Sequence, residues 1–109
     1  MTSPVIPAGG VIRVSRATFS PGRIAEAERM LRDTEKYLSP AIRRLDGLLG
    51  YYAGASPEGS VVAVSLWDSD GHANQMGSLR EMTIRARADA EAVGVSAPVI
   101  LNYPLIWQI

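Results

Sequence analysis

The stretch LLGYYAGASPEGSVVAVSLW, residues 48–67, decides the fold. At its centre Ser56-Pro57-Glu58-Gly59 is a turn, because proline presets φ and glycine tolerates a positive one. Leu48–Ala55, broken by Gly50 and Gly54, precedes it. Ser60–Trp67, the most apolar of the strands, follows it. Two β-favouring runs joined by so short a turn predict an antiparallel hairpin.

Upstream of the hairpin, Val11–Phe19 is rich in β-favouring residues and predicts a strand. Ser20-Pro21 is a helix start, since Ser can cap free amides and Pro suits the first turn. Ile24, Ala27, Leu31, Thr34 and Leu38 then recur at helical spacing, which predicts an amphipathic helix of about 17 residues. Ser39-Pro40 repeats the start signal and predicts a short second turn, with Ile42 and Leu45 facing inward. Downstream, Asp68-Ser69-Asp70 offers capping oxygens and Gly77 interrupts. Ser78 with Glu81 matches a capping box. Leu79, Met82, Ala86, Ala90 and Val93 form another stripe, stopped by Gly94. Val99–Ile109 predicts the last strand, bulged or at an edge where Pro104 removes a donor. Residues 1–9 read as an arm and 10–109 as one domain.

The order is β-α-β-β-α-β, the ferredoxin-like pattern of an α+β protein with a four-stranded antiparallel sheet. Alternation divides the apolar side chains into two sets. One holds Val11, Val61, Ala63, Trp67, Leu101, Leu105 and Trp107. The other holds Ile12, Val14, Val62, Val64, Leu66, Ile100 and Ile106. The helices cover one set, and a second copy's sheet is the simplest cover for the other, giving a homodimeric α+β barrel.

Composition narrows the functional classes. The 11 basic and 11 acidic residues cancel, and Arg80, Arg85 and Arg87 alternate with Glu81, Asp89 and Glu91. That is a solvated helix face, and no nucleic-acid partner is expected. No cysteine is present, which removes thiol nucleophiles, disulfides and thiolate metal sites. No run is long and apolar enough for a membrane span, and the start lacks the features of a signal peptide. The expectation is a soluble cytoplasmic protein with no membrane partner.

Few side chains suit chemistry. His72, the one histidine, falls in the first turn of a short helix. The positive helix end there favours a neutral imidazole, the form a general base needs. The alternative is a partly exposed helix-start histidine. One histidine without HxH or HExxH spacing makes no metal site. Arg13 and Arg16 lie within an apolar strand and, three apart, point to opposite faces. One could meet a carboxylate at a subunit interface and the other an enolate or carboxylate ligand. Trp67 and Tyr51 could wall an aromatic pocket with Met76, or fill core. Asn102 could orient a ligand or tie two strands.

Three places resemble the antibiotic biosynthesis monooxygenase superfamily: Arg16–Arg23 at the first strand–helix junction, Asp46–Tyr51 before the second strand, and Val64–Ser69 with its strand-ending Trp67. The resemblance spans about residues 10–107 and implies a dimeric barrel with a pocket between sheet and helices in each subunit. Some members oxygenate polycyclic aromatic polyketides without metal or flavin, others isomerise or degrade small aromatics, and a branch degrades haem. The haem branch's Asn, Trp and His fall on Arg16, Met76 and Ala86, so that activity is not expected. The resemblance implies a cofactor-independent monooxygenase or isomerase acting on a small aromatic or enolisable compound. Its expected catalytic residues are His72 and Arg16, in a pocket of Trp67, Tyr51, Met76 and Asn102, with no cofactor and no metal. The other reading is a non-catalytic dimer that binds a small ligand or serves structurally.

Overall fold

The hairpin over residues 48–67 forms as an antiparallel pair, β2 (Leu48–Ser56) and β3 (Ser60–Trp67). Gly59 takes φ +105°, a conformation open to glycine, and closes the turn through its N–H to the Ser56 carbonyl at 2.9 Å. The computed structural model describes residues 5–109; the first four residues of the expected arm lie outside it. β1 (Val11–Thr18) pairs antiparallel with β3 and with β4 (Val99–Pro104), giving the strand order β2-β3-β1-β4. With its helices all on one side this is the ferredoxin-like α+β fold that the sequence predicts.

The register shows which residues share the helix-covered face. Val11, Arg13, Ser15 and Ala17 of β1 stand opposite Trp67, Ser65, Ala63 and Val61 of β3. Residue for residue, Tyr51, Ala53 and Ala55 of β2 continue three of these rows. On the far side of β1, Asn102 faces Arg13 and Ile100 faces Ser15. This corrects the expected division for β4. Leu101 pairs with Val14 and belongs to the outer set, whereas Ile100 belongs to the helix side. Apolar residues run without alternation through Val99-Ile100-Leu101, so the pattern gave no phase to read. β4 also ends at Pro104, five residues before the expected Ile109.

The helices meet their core as the stripes predict, with local differences. A 3-10 turn at Pro21–Arg23 leads into α1 (Ile24–Arg43), which runs through Ser39-Pro40 without opening a new turn. Pro40 has no N–H to donate, a real local cost. Continuing the helix nevertheless buries Ala41 and Ile42 to 2% and 3% exposure, and that burial wins. After β3, the Ser69 hydroxyl accepts from the His72 N–H at 3.1 Å and caps α2 (Asp70–Ala73). A 3-10 turn at Asn74–Ser78 follows. The capping box does not form. The Leu79 carbonyl instead accepts from Met82 and Thr83, and a π-helical stretch, Glu81–Ala86, passes into α3 (Arg87–Ala92). Gly94, at φ +81°, ends it where expected.

Trp67 anchors the core at 0% exposure among Val11, Leu38, Ile42, Met76 and Ala86. A second cluster gathers Phe19, Ala27, Met30, Val61 and Val95. Residues 5–10 dock against the C-terminal segment. The Gln108 side chain accepts from the Ile6 N–H at 3.0 Å and donates to its carbonyl at 2.7 Å.

Candidate functional site

One row of residues crosses all four strands on the helix side: Asn102, Arg13, Ser65 and Tyr51. These are four polar side chains in register, on a face otherwise built mainly from apolar and small residues. The row beside it is Ile100, Ser15, Ala63 and Ala53, with three small side chains in succession. Small residues leave space between a sheet and the helices packed on it. A cavity of about 710 Å³ opens there. Met30, Thr34 and Leu38, spaced by four along α1, form part of its roof. Met82, Ala86 and Ala90 add to it, Tyr51, Met76 and Arg13 stand on its walls, and the charged Arg32, Glu35, Arg43 and Arg87 line it as well.

Arg13 is held from the strand beside it. Its Nη1 donates to Asn102 Oδ1 at 3.0 Å. The Asn102 Nδ2 donates in turn to Asp70 Oδ1 at 3.0 Å and to Asn74 Oδ1 at 2.9 Å. Helix α2 and the turn after it therefore fix the amide that orients the guanidinium. No carboxylate lies within ion-pair distance of Arg13 among the described residues. Burial lowers its pKa from the ordinary arginine value, with Tyr51 and Asp70 acting against the shift. Burial pushes the Tyr51 phenol up to about 12, Arg13 pulling the other way. At neutral pH Tyr51 is thus an uncharged hydroxyl, able to donate. Ser65, 3% exposed, accepts from the Trp67 indole N–H at 2.8 Å.

The expected site residues are not all brought together. Tyr51 and Met76 line the cavity. Asn102 reaches it through Arg13. Trp67 lies fully buried one row above, in the core and off the cavity wall. His72 is off the wall as well. Its Nδ1 bonds Asp68 Oδ1 at 2.7 Å, over the turn at Gly47. Arg16 is exposed on the opposite face of the sheet, near Val14, Val99 and Leu101. Of the two strand arginines, Arg13 is the one that lines the cavity. Parity alone separates the two, and the side that the helices cover fixes which one points inward. Ser65 and Ser15 were missed, for an isolated serine in a strand carries no signal until register places it in a row. Among the described residues no cluster of His, Asp or Glu could hold a metal ion. Nor is any helix among them long and apolar enough to cross a membrane.

No protein-family model matches the chain, and no curated protein matches it in sequence. Solved structures match it in fold. A protein from Deinococcus radiodurans, provisionally assigned as an antibiotic biosynthesis monooxygenase, aligns at TM-score 0.67 and 23% identity, over 91% of this chain and 95% of that one. The cofactor-independent oxygenase SnoaB from Streptomyces nogalater aligns at TM-score 0.66 and 16% identity, over 94% and 98%. The ActVA-Orf6 monooxygenase from Streptomyces coelicolor, solved with the ligand nanaomycin D, aligns at TM-score 0.68 and 19% identity, over 94% and 93%. The chain thus shares the fold of these solved structures.

Proposed function

We propose that this chain is a cofactor-independent monooxygenase, or an isomerase, acting on a small aromatic or enolisable compound in the cavity between sheet and helices. The observation that carries the reading is the cavity itself: about 710 Å³, mostly apolar, with a cation and a neutral phenol on its wall. Pockets for small organic ligands run from roughly 300 to 1,000 Å³ with a few placed polar groups. The fold shared with oxygenases, one of them holding nanaomycin D, supports it.

The chemistry asks little of the protein. An anthrone-type methylene loses a proton to water and leaves an enolate, whose oxygen accepts from the neutral Tyr51 hydroxyl while the Arg13 guanidinium supplies positive charge in a site of low dielectric. The carbanion transfers an electron to dioxygen, the radical pair joins as a carbon–oxygen bond, the resulting peroxide anion takes a proton back from solvent, and the hydroperoxide loses water, with the remaining C–H proton, to give a quinone. One oxygen atom of O₂ stays in the product and the other leaves as water. Orientation of the flat ring between Met30 and Met82 is the remaining contribution. His72 serves here as a positioning residue. With Asp68 it holds the chain leading into α2, whose Asp70 anchors Asn102.

An oxygen electrode tests the reading with a tricyclic anthrone. One O₂ consumed per anthrone is expected, with turnover falling about tenfold or more in Arg13→Gln. His72→Ala should lose much less than the hundredfold or more that removing a general base costs. No protein-dependent uptake would select the second reading, a binding protein without turnover. The absence of histidine from the cavity wall favours that alternative.

The homodimer belongs to the same proposal. The outer sheet face carries Val14, Val62, Val64 and Leu66, with Tyr52, Leu101 and Tyr103 largely exposed. A contiguous apolar face of this kind marks an association surface, and a second copy would bury it symmetrically.

A further inference from the structure

Arg13 is a cation on the cavity wall with no carboxylate within ion-pair distance among the described residues, while Arg32, Arg43, Arg87 and Glu35 also line the cavity. Arg13 stands mid-strand on the helix side, and its one side-chain hydrogen bond runs to a neutral amide. The nearest carboxylate to act on it, Asp70, is one residue further along the chain of bonds, behind Asn102. A guanidinium carries five N–H donors in a planar fork, so most of Arg13's donors have no protein acceptor among the described residues. Ser65, its neighbour in the row, already accepts from Trp67, leaving its own O–H proton to give elsewhere. The Tyr51 hydroxyl, next in the row, makes no hydrogen bond among the described residues. Apart from the Asn102 Oδ1 that takes one Arg13 N–H, no protein acceptor among the described residues answers the three donors of this row.

We infer that the ligand of this cavity carries a carboxylate, gripped by Arg13 as a fork, with its aromatic body lying across the small row Ser15, Ala63 and Ala53. The inference rests on the cavity being the ligand site and deepens that reading by naming the class: aromatic acids rather than neutral polycycles. A carboxylate suits the fork because its two oxygens take two parallel N–H bonds. Asn102 sets the direction. With Nη1 turned to it, the rest of the guanidinium edge remains for the ligand. Arg13 and Tyr51 are two strand spacings apart, about 10 Å. That separation matches a fused aromatic acid with its carboxylate at Arg13 and a ring oxygen reaching Tyr51.

Calorimetric titration with anthracene-2-carboxylate and with its neutral carboxamide tests the inference without reference to turnover. The carboxylate should bind about tenfold or more tightly than the amide, as a charge-assisted pair exceeds a neutral one. Arg13→Gln should abolish that difference, and Arg13→Lys should restore only part of it. Equal binding of the two ligands by the unaltered protein would overturn the inference and leave the pocket standing. Binding of neither ligand would overturn both. If Arg13→Gln fails to fold, the comparison of the two ligands on the unaltered protein still decides.

Discussion

At the scale of single residues, two positions give sharp expectations. Gly47 takes φ +77°, and a Cβ there would run into the Asp68 carboxylate and the His72 ring. Gly47→Ala combines left-handed strain with that clash. It should cost about 1–3 kcal/mol in urea denaturation and separate the Asp68–His72 pair. Tyr51 offers a pH test. Its folded-state pKa of about 12 lies above the ordinary 10, so the folded protein holds the phenol proton more tightly than the unfolded chain. The stability this gives is fully present below pH 10 and is lost as pH rises toward 12. Tyr37 is shifted upward too, by burial first and then by its 2.6 Å bond to Asp89. Stability measured across that alkaline range should fall, and Tyr51→Phe in a Tyr37→Phe background should remove the remaining slope.

Secondary-structure elements carry a different kind of expectation. Pro40 leaves a gap in the hydrogen bonding of α1 and is itself exposed. Pro40→Ala should raise the melting temperature by several degrees, at about 4–8 °C per kcal/mol for a domain of this size. On β3, Ala63 occupies the row that leaves the cavity empty. Ala63→Leu should abolish binding of anthracene-2-carboxylate while leaving the melting temperature equal or higher, since the added methyls fill vacant space. The elements were well marked in the sequence. The hairpin, the α1 stripe and the Gly94 stop follow from turn chemistry and 3.6-residue spacing. Their joints were not. Ser39-Pro40 is a start signal that tertiary burial of Ile42 overrides, and the unbroken apolar run in β4 hides its phase.

The site itself becomes visible only for the whole molecule. Asn102, Arg13, Ser65 and Tyr51 come from four strands, and no spacing in the sequence shows that they share a row. Tyr51, Met76 and Asn102 were legible as individual candidates. Arg13 could not be told from Arg16 before the covered face was known, and Trp67 sits one row too far into the core. The outer face sets the expectation for assembly. Light scattering should give about twice the 11.7 kDa chain mass. Val64→Asp, at the centre of that face, should bring it down to a monomer. The central claim is that the space between sheet and helices is where the ligand sits. A crystal structure with anthracene-2-carboxylate bound tests it most directly. The account predicts the ring between Met30 and Met82 and the carboxylate on Arg13. A ligand found on the outer sheet face or beside His72, with the cavity empty, would contradict it.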